Sequence, residues 1–79
     1  MTISEFSKIV AALKTVYTAP GFVPNEQALD MWYRLVGKNN DYQTISVAAL
    51  MYMTTGKFPP PPADILECAS KHRAGGSYL

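Results

Sequence analysis

A chain of 79 residues can form one small domain, whose single hydrophobic core supplies only marginal stability. Hydrophobic residues make up 48% of the sequence, which excludes an intrinsically disordered chain. The formal net charge is +1, and the seven basic and six acidic residues are scattered along the sequence. The sequence therefore lacks the basic stripe that duplex DNA binding needs.

The first predicted helix begins with a capping box, in which Thr2 is the N-cap and Glu5 follows three residues later. Apolar residues then recur at helical spacing and predict one buried face: Ile3, Phe6, Ile9, Val10, Leu13, Val16 and Tyr17. Pro20 and Gly21 predict the end of this helix. Phe22 lies in the extended link that follows, and we expect it to anchor the link in the core.

Asn25 is the expected N-cap of the second helix, and Gly37 is expected to close it. The predicted buried face comprises Ala28, Leu29, Trp32, Tyr33, Leu35 and Val36. Trp32 and Tyr33 are adjacent, so both cannot point to the centre of a small core, and Trp32 is the better core residue. Tyr33 is then half exposed, either as an interface anchor or as a residue flanking the core with its hydroxyl in water.

Asp41 is the expected N-cap of the third helix. Its predicted apolar positions cover most of its circumference: Tyr42, Ile45, Val47, Ala49, Leu50, Met51, Tyr52 and Met53. A helix that is apolar on most sides is usually the central one of its bundle. The breadth of this surface also leaves open a homo-oligomeric protein.

Four consecutive prolines, Pro59 to Pro62, cannot lie inside a helix and predict a stiff polyproline elbow. Gly56 can close the preceding helix in the left-handed conformation, and Pro62 suits the first position of the next one. We expect Phe58 to pack beneath the elbow. The elbow is interpreted as setting the angle between two helices, with a polyproline ligand for an aromatic groove as the alternative.

The fourth helix carries Ile65, Leu66 and Ala69 as apolar positions, and Gly75 and Gly76 are expected to stop it. The sequence thus predicts an all-α fold, a compact bundle of four short helices with a polyproline elbow before the last. Residues 1–74 are predicted to form a single helical domain, and residues 75–79 a flexible C-terminal tail.

No pattern of catalytic or ligating residues is present, so we expect a protein that is not an enzyme and has no cofactor or metal. Cys68 and His72 could share a helix face, but a single cysteine is most often a small, partly buried apolar residue. No glycine-rich loop precedes a helix, as phosphate binding would require. The N-terminal region lacks a signal peptide and the apolar runs are too short for a membrane span, so a cytoplasmic location is expected.

Several features occur in a distinctive order along residues 3–69: Tyr17, Pro20-Gly21-Phe22, Trp32, Leu35, Asp41-Tyr42, Thr55-Gly56-Lys57-Phe58-Pro59-Pro60 and Ala63-Asp64-Ile65. This order resembles the phage family of replicative helicase loader and inhibitor proteins. The resemblance implies a non-enzymatic, all-helical adaptor that binds the hexameric helicase, holds it inactive and delivers it to an origin-bound replisome organiser. Related phage proteins act on the host's helicase-loading ATPase, so either partner is implied. Members tend to carry a long C-terminal region linked to helicase contact, whereas this sequence ends soon after Gly76.

The leading hypothesis is therefore a phage DNA-replication adaptor that acts in the host cytoplasm. Its expected partner is the replicative hexameric helicase or the helicase-loader ATPase, with a phage replisome organiser as a further candidate; no small-molecule substrate, membrane or DNA contact is expected. The candidate partner-binding residues are Tyr33, Arg34, Lys71, His72 and Arg73. The alternatives are a small helical nucleic-acid-binding module and a homo-oligomeric regulatory protein.

Overall fold

The computed structural model describes the backbone of residues 1–76 and the side chains of residues 1–71. This part of the chain contains four helices and no strand, which confirms the predicted all-α fold. The elements are α1 (Ile3–Val16), α2 (Glu26–Trp32) with a π-helical turn (Tyr33–Gly37) directly after it, α3 (Tyr42–Thr55) and α4 (Pro62–Gly76). Residues 77–79, the rest of the predicted tail, lie outside the described residues. None of the helices in the described part of the chain is long and apolar enough to cross a membrane.

The helices begin where the capping residues predict. The Thr2 hydroxyl accepts from the Glu5 N–H at 3.1 Å, and the Glu5 carboxylate accepts from the Thr2 N–H at 2.9 Å. That backbone hydrogen bond lowers the pKa of Glu5, because it favours the charged carboxylate. Asn25 and Asp41 cap α2 and α3 in the same way, each accepting from the backbone N–H three residues later. Pro62 is the first residue of α4, as its missing N–H allows.

The third helix lies in the middle of the bundle, as its apolar circumference predicts. It packs against α1, α4 and the π-helical turn. The buried hydrophobic core comprises Phe6, Ile9, Val10, Leu13, Tyr17, Phe22, Val23, Val36, Ile45, Ala48, Ala49, Ile65 and Ala69. The prediction that Phe22 anchors the link in the core is confirmed, and Trp32 packs against it from α2 with its ring at 5.7 Å.

Gly37 and Gly56 do not end their helices in the left-handed conformation, so that prediction is wrong for both. No glycine in the described chain has a positive φ, and Gly56 has φ −79°. The two glycines are instead points of close approach. A Cβ on Gly37 would lie 2.8 Å from the ring of Phe6, and a Cβ on Gly56 would overlap the ring of Tyr52. Helix packing requires glycine here, because these aromatic rings lie directly on the backbone.

Several apolar residues predicted to lie on buried faces are exposed: Ile3, Val16, Leu35, Tyr42, Leu50, Met51 and Leu66. Leu35 and Leu50 are each more than half exposed. The reason is geometric, because a four-helix domain of this size offers each helix only a few neighbours and cannot cover every side of it. The helical periodicity located the helices correctly but overestimated the width of their buried faces.

Candidate functional site

The segment between α3 and α4, residues 56–61, forms the elbow. Phe58 within it is 75% exposed, the highest value among the exposed large hydrophobic residues in the described part of the chain. The prediction that Phe58 packs beneath the elbow is therefore wrong. Pro60, two residues later, is fully buried and seats the segment on the core instead. Lys57 is exposed beside Phe58, so the elbow presents a cation and an aromatic ring side by side.

Two tyrosine hydroxyls hold the backbone of the elbow. Tyr17 donates to the carbonyl of Gly56 at 2.8 Å, and Tyr52 donates to the carbonyl of Phe58 at 2.8 Å. The two tyrosine rings contact each other with centroids 5.8 Å apart. Together with the fixed φ of the prolines, these bonds hold the Phe58 backbone in one position before any partner arrives. Such preorganisation reduces the entropy that is lost on binding.

Both tyrosines are suited to act as permanent donors. Burial raises the pKa of Tyr17, and the neighbouring Tyr52 raises it further. Burial is also the largest cause that raises the pKa of Tyr52, followed by the carboxylate of Asp64 and by Cys68. Each hydroxyl therefore keeps its proton, and its hydrogen bond to the elbow, throughout the neutral pH range.

The elbow has the chemistry of a protein-binding anchor. An exposed aromatic ring on a rigid backbone can insert into an apolar pocket of a partner, and centrally buried aromatic residues dominate the energetics of many interfaces. Lys57 beside it favours a pocket whose rim is acidic. Among the described residues, no group of three His, Cys, Asp or Glu side chains could hold a metal ion.

Tyr33, one of the predicted partner-binding residues, has a structural role. Its hydroxyl donates to the carbonyl of Met1 at 2.7 Å, so it does not point into water. Its ring packs on Phe6, with centroids 5.9 Å apart. Little of this side chain is therefore left to contact a partner, although its role in binding remains a prediction.

The neighbouring Arg34 is exposed and forms an ion pair with Asp30 at 3.0 Å. Met31 and Leu35 are each more than half exposed on the same helical segment. These two apolar residues and Arg34 form a second exposed surface, which we call the α2 patch. It preserves the sequence-based idea of a binding surface on this helix but places apolar contact area on Leu35 and Met31.

The predicted basic end lies on α4, which packs against the π-helical turn. Lys71 is exposed and forms an ion pair with Glu67 at 3.3 Å, one helical turn earlier. The side chains of His72 and Arg73 lie outside the described residues. Cys68 is partly buried, in agreement with its interpretation as a small apolar residue.

A third feature, which the sequence did not indicate, is a cleft of about 310 Å³ where α1, the link (residues 18–24) and the start of α2 meet. Its lining residues are Ser7, Val10, Ala11, Lys14, Val23, Pro24, Asn25, Glu26 and Leu29. Val23 has φ +43°, a strained conformation for a β-branched residue. The ammonium of Lys14 donates to the Val23 carbonyl at 2.7 Å and so stabilises this strained turn.

Comparison with known proteins identified one family. A family model for the N-terminal domain of a phage helicase loader/inhibitor protein matches residues 1–66. The match includes the first three helices, the whole elbow and the beginning of α4. Searches of curated proteins and of solved structures found no significant match.

Proposed function

The chain belongs to the family of N-terminal domains of phage helicase loader/inhibitor proteins, and on this premise we propose that it is a non-enzymatic adaptor of phage DNA replication. It binds the replicative helicase hexamer or the helicase-loader ATPase in the cytoplasm of the host bacterium. By binding, it controls the loading of the helicase, either by holding it inactive or by delivering it to the origin.

The observation that carries this proposal is the exposed ring of Phe58 on the elbow. Folding does not require this ring to be buried, since Pro60 and the two tyrosine hydroxyls already hold the segment. Exposing an aromatic ring to water is unfavourable, which a contact with a partner would reverse. The elbow lies entirely within the part of the chain that matches the family.

The test is size-exclusion chromatography with light scattering. The chain is run alone, with the purified helicase hexamer, and with the purified loader ATPase. Co-elution with one of them identifies the partner and supports the proposal. The proposal is abandoned if a folded chain elutes separately from both.

Phe58→Ala then locates the contact. This variant removes an exposed ring but keeps the backbone carbonyl that Tyr52 binds, so its fold should be unchanged. Loss of a central aromatic anchor should weaken partner binding by about tenfold or more. Leu50→Ala is the matched control, because it truncates another exposed apolar residue, on α3 away from the elbow.

The sequence-based candidates are tested beside it by Arg34→Ala and Lys71→Ala, which change exposed residues. Tyr33→Ala is a poor probe, because the loss of its bond to Met1 and its contact with Phe6 would destabilise the fold itself. If Arg34→Ala abolishes co-elution and Phe58→Ala does not, the contact lies on the α2 patch and the assignment to the elbow is wrong.

A further inference from the structure

The cleft between α1 and α2 has room for an aromatic side chain. Its volume is about 310 Å³, and its walls include Val10, Val23, Pro24 and Leu29. For comparison, an apolar cavity of about 150 Å³ in another protein holds a benzene ring. The cleft is open to solvent on one side, so a ring can enter it without rearrangement of the core.

Two charged side chains at the cleft restrict what can bind there. The ammonium of Lys14 already donates to the Val23 carbonyl. Glu26, in the first turn of α2, is exposed and has no ion-pair partner among residues 1–71. A ligand with a cation beside an apolar ring would fill the cleft and pair with this carboxylate.

The chain itself displays such a group on the elbow. Phe58 is the exposed ring, and Lys57 is the adjacent exposed cation, which also lacks an ion-pair partner among residues 1–71. From this complementarity of shape and charge, we infer that the cleft binds the elbow of a second copy of this chain. The Phe58 ring of one copy occupies the cleft of the next, and its Lys57 ammonium pairs with Glu26.

This contact is heterologous, because the elbow and the cleft are different surfaces of the molecule. Each copy therefore offers one elbow and one cleft, and copies join head to tail rather than as a closed two-fold dimer. A contact built on one ring and one ion pair is small, and small interfaces are weak and transient. The association rests only on the two surfaces; a consequence that does rest on the proposed function is that it would compete with helicase or loader for the elbow.

The first test is dilution of the isotope-labelled wild-type chain from millimolar to micromolar concentration, followed by NMR amide shifts and by sedimentation equilibrium. The resonances of the elbow and of the cleft should shift together, and the average mass should exceed that of the monomer at high concentration. A constant monomer mass with unchanged shifts would overturn the inference.

The decisive test is complementation between two variants. Phe58→Ala removes the ring and keeps the cleft; Ala11→Trp fills the cleft from an exposed position on α1 and keeps the elbow. Each variant alone should self-associate about tenfold or more weakly than wild type. An equimolar mixture should form a one-to-one complex and stop there, because only one intact elbow and one intact cleft remain to meet.

Other results contradict the inference. Phe58→Ala alone associating like wild type, or the mixture associating no better than its components, would each rule out this pairing. Lys57→Glu and Glu26→Lys extend the test, since each should weaken association and their mixture should regain it. Leu50→Ala is the control that should leave association unchanged.

Titration with the helicase separates this inference from the proposed function. If the free chain stays monomeric while the partner shifts the cleft resonances, the cleft binds the partner and the self-association is ruled out. If the chain associates with itself but elutes apart from helicase and loader, the proposed function fails and the head-to-tail contact stands.

Discussion

The link and the elbow contain similar residues and use them in opposite ways. Each is a connection between helices with proline, glycine and one phenylalanine. Phe22 in the link is 7% exposed, whereas Phe58 in the elbow is 75% exposed. The composition of a loop therefore does not decide whether its aromatic residue serves folding or remains available for contact.

The difference lies in what holds each backbone. In the link, the ring of Phe22 packs edge-on against Tyr17 and Trp32, and its burial offsets the strained backbone of Val23. In the elbow, hydroxyl groups and prolines hold the backbone, so the Phe58 side chain is not needed. The same core residue, Tyr17, supports both loops, with its ring in the link and its hydroxyl at the elbow.

Truncation of the two phenylalanines should give the largest contrast. Phe22→Ala should lower the free energy of unfolding by about 3–5 kcal/mol, because it removes a buried ring from the core. That loss is large enough to unfold much of a domain this small. Phe58→Ala should change it by less than about 0.5 kcal/mol. Urea denaturation followed by circular dichroism measures both, and equal losses would show that the elbow ring also supports the fold.

Alanine substitution of one glycine in each loop sharpens the same contrast. Gly56→Ala should destabilise by about 1–3 kcal/mol, because the new Cβ would displace the Tyr52 ring and disturb its bond to Phe58. Gly21→Ala meets nothing within 4 Å and has no positive φ to lose. It should be neutral or stabilising by up to about 1 kcal/mol, through the unfolded chain. A Gly56→Ala protein as stable as wild type would mean that Tyr52 does not pin the elbow.

Removal of a single hydroxyl should have a smaller effect. Tyr52→Phe keeps the ring and loses the hydrogen bond to the Phe58 carbonyl, which should destabilise by about 1 kcal/mol. Because burial raises the pKa of Tyr52 in the folded state, its contribution is present below the unfolded pKa of about 10 and is lost as pH rises above it. Wild type should therefore lose stability above about pH 10 more steeply than Tyr52→Phe. Urea midpoints across that range measure the slopes, and parallel slopes would exclude Tyr52 as the group responsible.

Much of the fold could be predicted from the sequence, because the signals for it are local. The N-caps at Thr2, Asn25 and Asp41 and the helix start at Pro62 depend on hydrogen bonds and dihedral angles within one helical turn. The helical spacing of apolar residues located the four helices and the central position of α3. These elements also determine the order of features on which the family resemblance depended.

The candidate site was less predictable. The partner-binding residues inferred from sequence remain predictions, and the structure gives one of them, Tyr33, a bond to Met1 instead. Phe58 was assigned to the core because aromatic residues in short loops often pack there. Its place in a proline run, where neither flanking helix can extend to cover it, was the one local signal for exposure.

By itself, the sequence determined the number of helices, where they begin and the stiffness of the elbow, since these follow from interactions between near neighbours in the chain. Only the tertiary structure decided which phenylalanine is buried, why Gly56 must be a glycine, and where the cleft opens. Those outcomes depend on residues that folding brings together from far apart. Tyr17 and Gly56, which are 39 residues apart in the chain, share the hydrogen bond that holds the elbow in place.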